Sequence, residues 1–183
     1  METRVLIAGF GGQGIMLLGQ MLGISATRAG LFATFFPDYG PEQRGGTASC
    51  SVVLGEAQIG TPVVTAPDTL IVMNEPSLMK FGAQVKAGGT ILENSSLIQK
   101  QVQVPKVKMV PIPASQIAAQ IGSDKIVNMV FLGAYVQLVG ILPESLVIEV
   151  IRAKLEKKPE LLEFNLAAFE AGKQVVERFA GYE

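Results

Sequence analysis

The chain has 183 residues, 49% hydrophobic and 17% charged, with a formal net charge of −1, one cysteine and no histidine. That inventory gives no basic footprint for nucleic acid. It also excludes an iron–sulfur cluster held by about four cysteines, a Cys/His zinc site and a histidine-based catalytic triad. Its charge falls below the roughly 25% of an average soluble domain, which points to burial of surface against partner subunits, and a lone cysteine agrees with the reducing cytoplasm.

Thr3–Ala8 reads as a buried strand. Gly9-Phe-Gly-Gly-Gln-Gly14 follows at once and fits G-x-G-x-x-G, and Gln13–Ala29 reads as a helix stopped by Gly30. A strand, a glycine-dense turn and a helix start present backbone N–H groups and a positive helix end to an anion. Gly9, Gly11, Gly12, Gln13 and Gly14 are therefore candidate ligand-binding residues. The competing reading is a tight turn that needs glycine conformations and nothing more. Gly19 and Gly23 bare one helix face for close packing against the sheet or a neighbouring chain. Val5–Thr27 is uncharged, but six glycines and two glutamines interrupt it and no cleavage site follows, so it is not a signal peptide.

Leu31–Phe36 is the second strand. A dinucleotide-binding unit places an acidic residue at this strand end, about 20 residues past the glycines. Phe35 and Phe36 stand there instead, and the nearest acid, Asp38, falls past Pro37. Pro37–Gly46 reads as a turn-rich loop containing Arg44, Gly45 and Gly46. A guanidinium leaving this sheet edge can clamp a carboxylate or phosphate; alternatively it fastens its own loop or pairs with an acid on a neighbouring subunit.

Thr47–Leu54 alternates with period two, with Ala48, Cys50, Val52 and Leu54 on the apolar face, which makes Cys50 a core residue rather than a reactive thiol. The hairpin-like passage near residues 47–59 makes the sheet mixed. Asp68–Met73 is a buried strand, and Asn74-Glu-Pro-Ser77 opens a helix to about Lys86. Asn74 and Glu75 are secondary site candidates, although helix capping accounts for them. Thr90–Glu93 and Val107–Ile112 are further strands, followed by helices Ser115–Gln120, Lys125–Val139 and Glu144–Lys157. A final helix begins at Pro159, with Leu162, Leu166, Phe169, Val176 and Phe179 as its buried stripe. The uncharged run Ile126–Leu142, 17 residues long, reads as a helix buried on all sides rather than a membrane span. Within it Asn128, the last secondary candidate, needs a loop backbone or a partner, because an unpaired buried amide costs about 1–3 kcal/mol. These elements predict a three-layer α/β/α sandwich with a mixed, mostly parallel sheet and a Rossmann-like glycine turn, residues 1–183 forming one domain without a metal site or catalytic residue.

The turn Gly9–Ile15, the loop Tyr39–Ala48, the turn Ile59-Gly-Thr-Pro62, Asp68–Val72 and Asn128–Gly133 together resemble the gamma subunit of 2-oxoacid:ferredoxin oxidoreductases. That family includes pyruvate, 2-oxoglutarate, ketoisovalerate and indolepyruvate enzymes, and the resemblance runs over almost the whole chain. It implies a complex that converts a 2-oxoacid, coenzyme A and oxidised ferredoxin into acyl-CoA, carbon dioxide and reduced ferredoxin. It further implies that this chain holds no cofactor. Thiamine diphosphate would sit on alpha and beta subunits and [4Fe–4S] clusters on beta or delta chains, with ferredoxin reached through the complex. The expected role is a non-redox, cytoplasmic subunit, inactive alone. Its Gly9–Gly14 turn and Arg44 loop would border the shared active site and receive the coenzyme A phosphates or the substrate carboxylate. A free-standing nucleotide-binding module and a purely structural interaction subunit are the alternatives.

Overall fold

The computed structural model describes residues 1–39, 47–99 and 102–180. Its strands are β1 (Glu2–Phe10), β2 (Phe32–Tyr39), β3 (Thr47–Gly55), β4 (Thr69–Val72), β5 (Thr90–Asn94) and β6 (Lys108–Ile112). Its helices are α1 (Ile15–Arg28), α2 (Glu75–Phe81), α3 (Ala114–Ile121), α4 (Val127–Val139), α5 (Glu144–Lys154) and α6 (Leu162–Ala180). The strands form one six-stranded sheet in the order β2-β3-β1-β4-β5-β6. β1, β4, β5 and β6 run parallel, whereas β3 is antiparallel to both its neighbours.

β1 is an unbroken apolar run because both faces are covered, and Val5 through Ala8 are all buried. Val5, Ile7, Cys50, Val52, Leu54 and Ile71 face the layer that holds α1, α3, α4, α5 and α6. Leu6, Ala8, Val53, Leu70 and Val72 face a thinner layer of α2, represented by Leu78 and Phe81, and loop residues such as Val64 and Ile98. The sandwich is thus three-layered and mixed as the sequence predicts, but lopsided. The alternation of β3 hides this: Ser49 and Ser51, on its polar face, are buried too, with Ser51 Oγ accepting the Val64 N–H at 3.1 Å.

β2 does not end at Phe36. It continues through Pro37 and Asp38 to Tyr39, with Pro37 opposite Cys50. Proline lacks a ladder donor, and β2 tolerates it because the strand lies at the sheet edge. The antiparallel element that makes the sheet mixed is β3, paired on both sides, and it lies within the expected passage 47–59. α2 stops at Phe81, followed by a short 3-10 turn to Gln84, well before Lys86. α5 ends at Lys154 rather than Lys157.

α4 is buried from Val127 to Val136, and fully buried side chains such as Phe131 and Leu132 each contribute about 1.5–3 kcal/mol. Its crossing with α6 is close enough that a Cβ on Gly133 would run into the Phe169 carbonyl and one on Gly172 into the Val130 carbonyl. Gly19 of α1 likewise presses on the sheet, where an added Cβ would lie 2.7 Å from Cys50 Sγ. Gly23 meets nothing within 4 Å. Among the described residues no helix is long and apolar enough to cross a membrane.

Candidate functional site

β1 is where the chain's course divides. α1 follows β1 on one face of the sheet and α2 follows β4 on the other. That divergence falls at the carboxyl ends of β1 and β4, the place where open α/β sheets bind ligands.

The glycine turn lies at this edge, between β1 and α1. The Gln13 N–H donates to the Phe10 carbonyl at 3.2 Å, and the Gln13 side-chain Oε1 accepts the Phe10 N–H at 2.7 Å, so the turn is closed twice. Gly14 caps α1 in the left-handed region, at φ 78° and ψ 21°, with no side-chain hydrogen bond at the cap. The first helical bond runs from the Leu18 N–H to the Gly14 carbonyl at 3.0 Å, leaving the first-turn N–H groups without an intrahelical partner. Gly9 is tight for another reason: a Cβ there would lie 2.6 Å from Gln13 Oε1, 2.9 Å from Ile15 Cδ1 and 3.0 Å from the Met73 Cβ, so the Gln13 side chain that closes the turn would have to shift. Gly11 and Gly12 are exposed at the tip.

Two side chains from other elements, Asn74 and Asn128, bond to this turn directly, and Asn94 bonds to the Met73 carbonyl that Gln13 Nε2 also reaches, at 3.5 Å. Asn74 caps α2, its Oδ1 accepting the Ser77 N–H at 2.9 Å, while its Nδ2 reaches Gln13 Oε1 at 3.4 Å. Asn94, at the end of β5, donates to Ser115 Oγ at 2.9 Å and to the Met73 carbonyl at 3.4 Å. Asn128 donates from Nδ2 to the Gly14 carbonyl at 3.3 Å, and its Oδ1 is buried with no hydrogen-bond partner. The expected loop-backbone partner of Asn128 is therefore Gly14.

The structure thus brings Gly9, Gly11, Gly12, Gln13, Gly14, Asn74 and Asn128 to one sheet edge. Glu75 is the first residue of α2, where a carboxylate favours the helix dipole. Arg44, Gly45 and Gly46 lie outside the described residues. Asn94 and Ser115 escape the sequence reading; the only signal is an Asn-Ser pair at a strand end, and its burial is a tertiary fact.

The turn contains no titratable side chain, so its chemistry is recognition by oriented amides rather than proton transfer. Cys50 lies next to it, with Sγ 3.6 Å from the Ile15 carbonyl, and burial pushes its thiol up to about 12. That thiol stays protonated and unreactive. Glu93, half-buried on β5, is also raised by desolvation and leaves Oε2 without a partner. Asp38 is exposed near the end of β2, and β3 separates it from β1. Two strand spacings put it about 10 Å to the side of the place where a dinucleotide's ribose is gripped.

The sequence profile of the family described as pyruvate ferredoxin/flavodoxin oxidoreductase matches residues 4–175. The chain is 38% identical over 173 residues to the ketoisovalerate oxidoreductase subunit VorA of Methanothermobacter marburgensis, covering 93% of this chain and 36% of that relative. It thus spans about a third of that protein's length. Against the 2-oxoglutarate synthase subunit KorC of the same organism it is 33% identical over 183 residues, covering 96% of this chain and 97% of the relative. The fold is similar to the 2-oxoglutarate:ferredoxin oxidoreductase from Magnetococcus marinus with 2-oxoglutarate, coenzyme A and succinyl-CoA bound. That likeness has a TM-score of 0.90 and 29% identity over 97% of this chain and 31% of that one.

Proposed function

The chain belongs to the pyruvate ferredoxin/flavodoxin oxidoreductase family, and we propose that it is the gamma-type component of a complex that oxidatively decarboxylates a 2-oxoacid to an acyl-CoA and passes the electrons to ferredoxin. Residues 1–183 act in this reading as one gamma-type domain in the cytoplasm. Thiamine diphosphate and [4Fe–4S] clusters belong to alpha, beta or delta companions, where they supply carbanion and one-electron chemistry. One thiol, buried and held protonated, offers no ligand set for such a cluster on this chain.

Its own contribution is a wall of the shared chamber. The observation that carries this is the uncapped start of α1 behind the doubly closed Phe10–Gln13 turn, at the edge where α1 and α2 diverge. Oriented amides in a site closed by other subunits bind an anion strongly, because no water competes and no reorganisation is required. Coenzyme A phosphates and a 2-oxoacid carboxylate are the anions such a complex handles, and the Magnetococcus relative has both kinds of ligand bound. Arg44, if it reaches this edge, adds a guanidinium clamp. Arg44→Ala then raises the KM for coenzyme A or the oxoacid, and unchanged kinetics with intact assembly removes it from the site.

Reconstitution tests the reading as a whole. Companion chains without this one should reduce ferredoxin poorly, and adding it back should restore turnover dependent on the 2-oxoacid and coenzyme A. The chain alone should be colourless and inactive. A coloured chain that reduces ferredoxin by itself contradicts the assignment, and nucleotide binding by the isolated chain would favour the nucleotide-module reading instead.

A further inference from the structure

We propose that a furrow at the opposite edge of the sheet from the glycine turn is the seat of a companion polypeptide, which fills it with a bulky apolar side chain flanked by carboxylates. The companion is the polypeptide corresponding to the part of VorA that this chain does not cover. The proposal rests on the subunit reading above and adds to it a surface and a chemistry.

α1 leaves the carboxyl edge of β1 and returns along the sheet, so its last two turns lie far from Gly14. There a hollow of about 490 Å³ opens between Gly23, Ile24 and Arg28 of α1, Phe35 of the edge strand β2 and Lys154 at the end of α5. A second hollow of about 230 Å³ shares Ile24, Arg28 and Lys154 and reaches Val150 of α5. The two make one furrow with mostly apolar walls. Exposed apolar surface continues beside it, with Ile24 36% exposed and Phe32 on β2 51% exposed. Contiguous apolar surface of this kind marks an interaction site.

Gly23 forms the open floor. Glycine is the poorest ordinary residue for a helix interior, and at Gly19 the sheet demands it. At Gly23 nothing inside the chain does, since an added Cβ meets no atom within 4 Å. The missing side chain leaves room for something from outside.

The rim specifies the charge of that occupant. Arg28 touches Glu149 only at 3.8 Å, with both side chains exposed, a weak pair that a better partner displaces. Lys154 pairs with no described acid, and of the exposed charges near it in the chain Arg152, Lys157 and Lys158 stand against Glu156 and Glu160. The local excess of cations favours carboxylates on the incoming segment and steers its approach.

Two variants test this by affinity between the purified chain and the companion expressed separately. Gly23→Leu fills the floor with a better helix former, so folding is retained, as circular dichroism verifies. It should weaken association at least tenfold. Arg28→Glu with Lys154→Glu should weaken it at least tenfold at low salt, with the difference narrowing as salt rises. Wild-type affinity in both variants overturns the proposal. If the unmodified chain fails to bind the companion at all, the subunit reading falls and the proposal with it. If Gly23→Leu abolishes self-association while leaving companion binding intact, the occupant is a second copy and the proposal is wrong.

Discussion

The side-chain amide of Asn128 donates to the carbonyl oxygen of Gly14 at 3.3 Å, joining the buried helix α4 to the start of α1 across 114 positions of sequence. An added Cβ on Gly14 would lie 2.5 Å from that same nitrogen. The turn's conformation and the buried helix therefore fix each other.

Gly14→Ala should accordingly destabilise the chain by about 2–3 kcal/mol, from left-handed backbone strain plus displacement of a packed amide. Gly12 also has a positive φ, 96°, but open space around its Cβ. Gly12→Ala should lose only about 1 kcal/mol, the strain alone. Urea denaturation of the two variants separates the effects; equal losses would show that Asn128 yields freely.

The α4–α6 crossing makes a second contrast. Gly133→Ala and Gly172→Ala each drive a methyl into a backbone carbonyl, which cannot swing aside. Each should lose about 3 kcal/mol or more, seen as a large fall in Tm or failure to fold. Gly23→Ala, in the same kind of helical setting but with open space, should instead stabilise by about 0.5–1 kcal/mol.

Much of this was legible in the sequence where local pattern and tertiary role coincide. The strand, glycine turn and helix at residues 3–29 stand where expected, as does the Asn74 cap. The apolar run around Asn128 reads correctly as a helix buried on all sides, because no face of it is polar. Pro37 misleads because its meaning depends on strand position, which only the completed sheet supplies: β2 is an edge, and there the missing donor is harmless. The Asn94–Ser115 bond is invisible for a related reason. The two residues meet only after β5 and β6 pair, and an asparagine among serines otherwise reads as a loop.

Cys50 should be inert in the native chain. Its thiol is fully buried and pushed up to about 12 by desolvation, so thiolate is scarce at any ordinary pH. A thiol reagent at pH 8 should modify it only in denaturant. Rapid labelling of the folded chain would show that the α1–β3 contact opens readily.

Lys173 joins two helices, with Nζ 2.7 Å from Glu144 of α5 and 3.1 Å from Glu170 of α6. The bond from Glu144, ahead of that from Glu170, raises its pKa above 10.5, and the Lys173 bond holds Glu170 below 4.5. The Glu170 contribution is therefore complete above pH 4.5 and lost as pH falls through the depressed value. The Lys173 contribution is complete below pH 10.5 and lost as pH rises through the raised one. Both carboxylates are well exposed, so Lys173→Met should lose only about 0.5–1 kcal/mol at pH 7. That difference should shrink at pH 3, which parallel denaturation curves would reveal.

The most direct test of the anion-receiving turn compares Gly12→Asp with Gly12→Asn in the reconstituted complex. Both side chains tolerate the left-handed backbone and both have room, so the variants differ in charge alone. The account predicts that Asp raises the KM for coenzyme A or for the 2-oxoacid at least tenfold over Asn, about 1.4 kcal/mol, with kcat little changed and assembly intact. Equal KM values for both substrates in the two variants would contradict it.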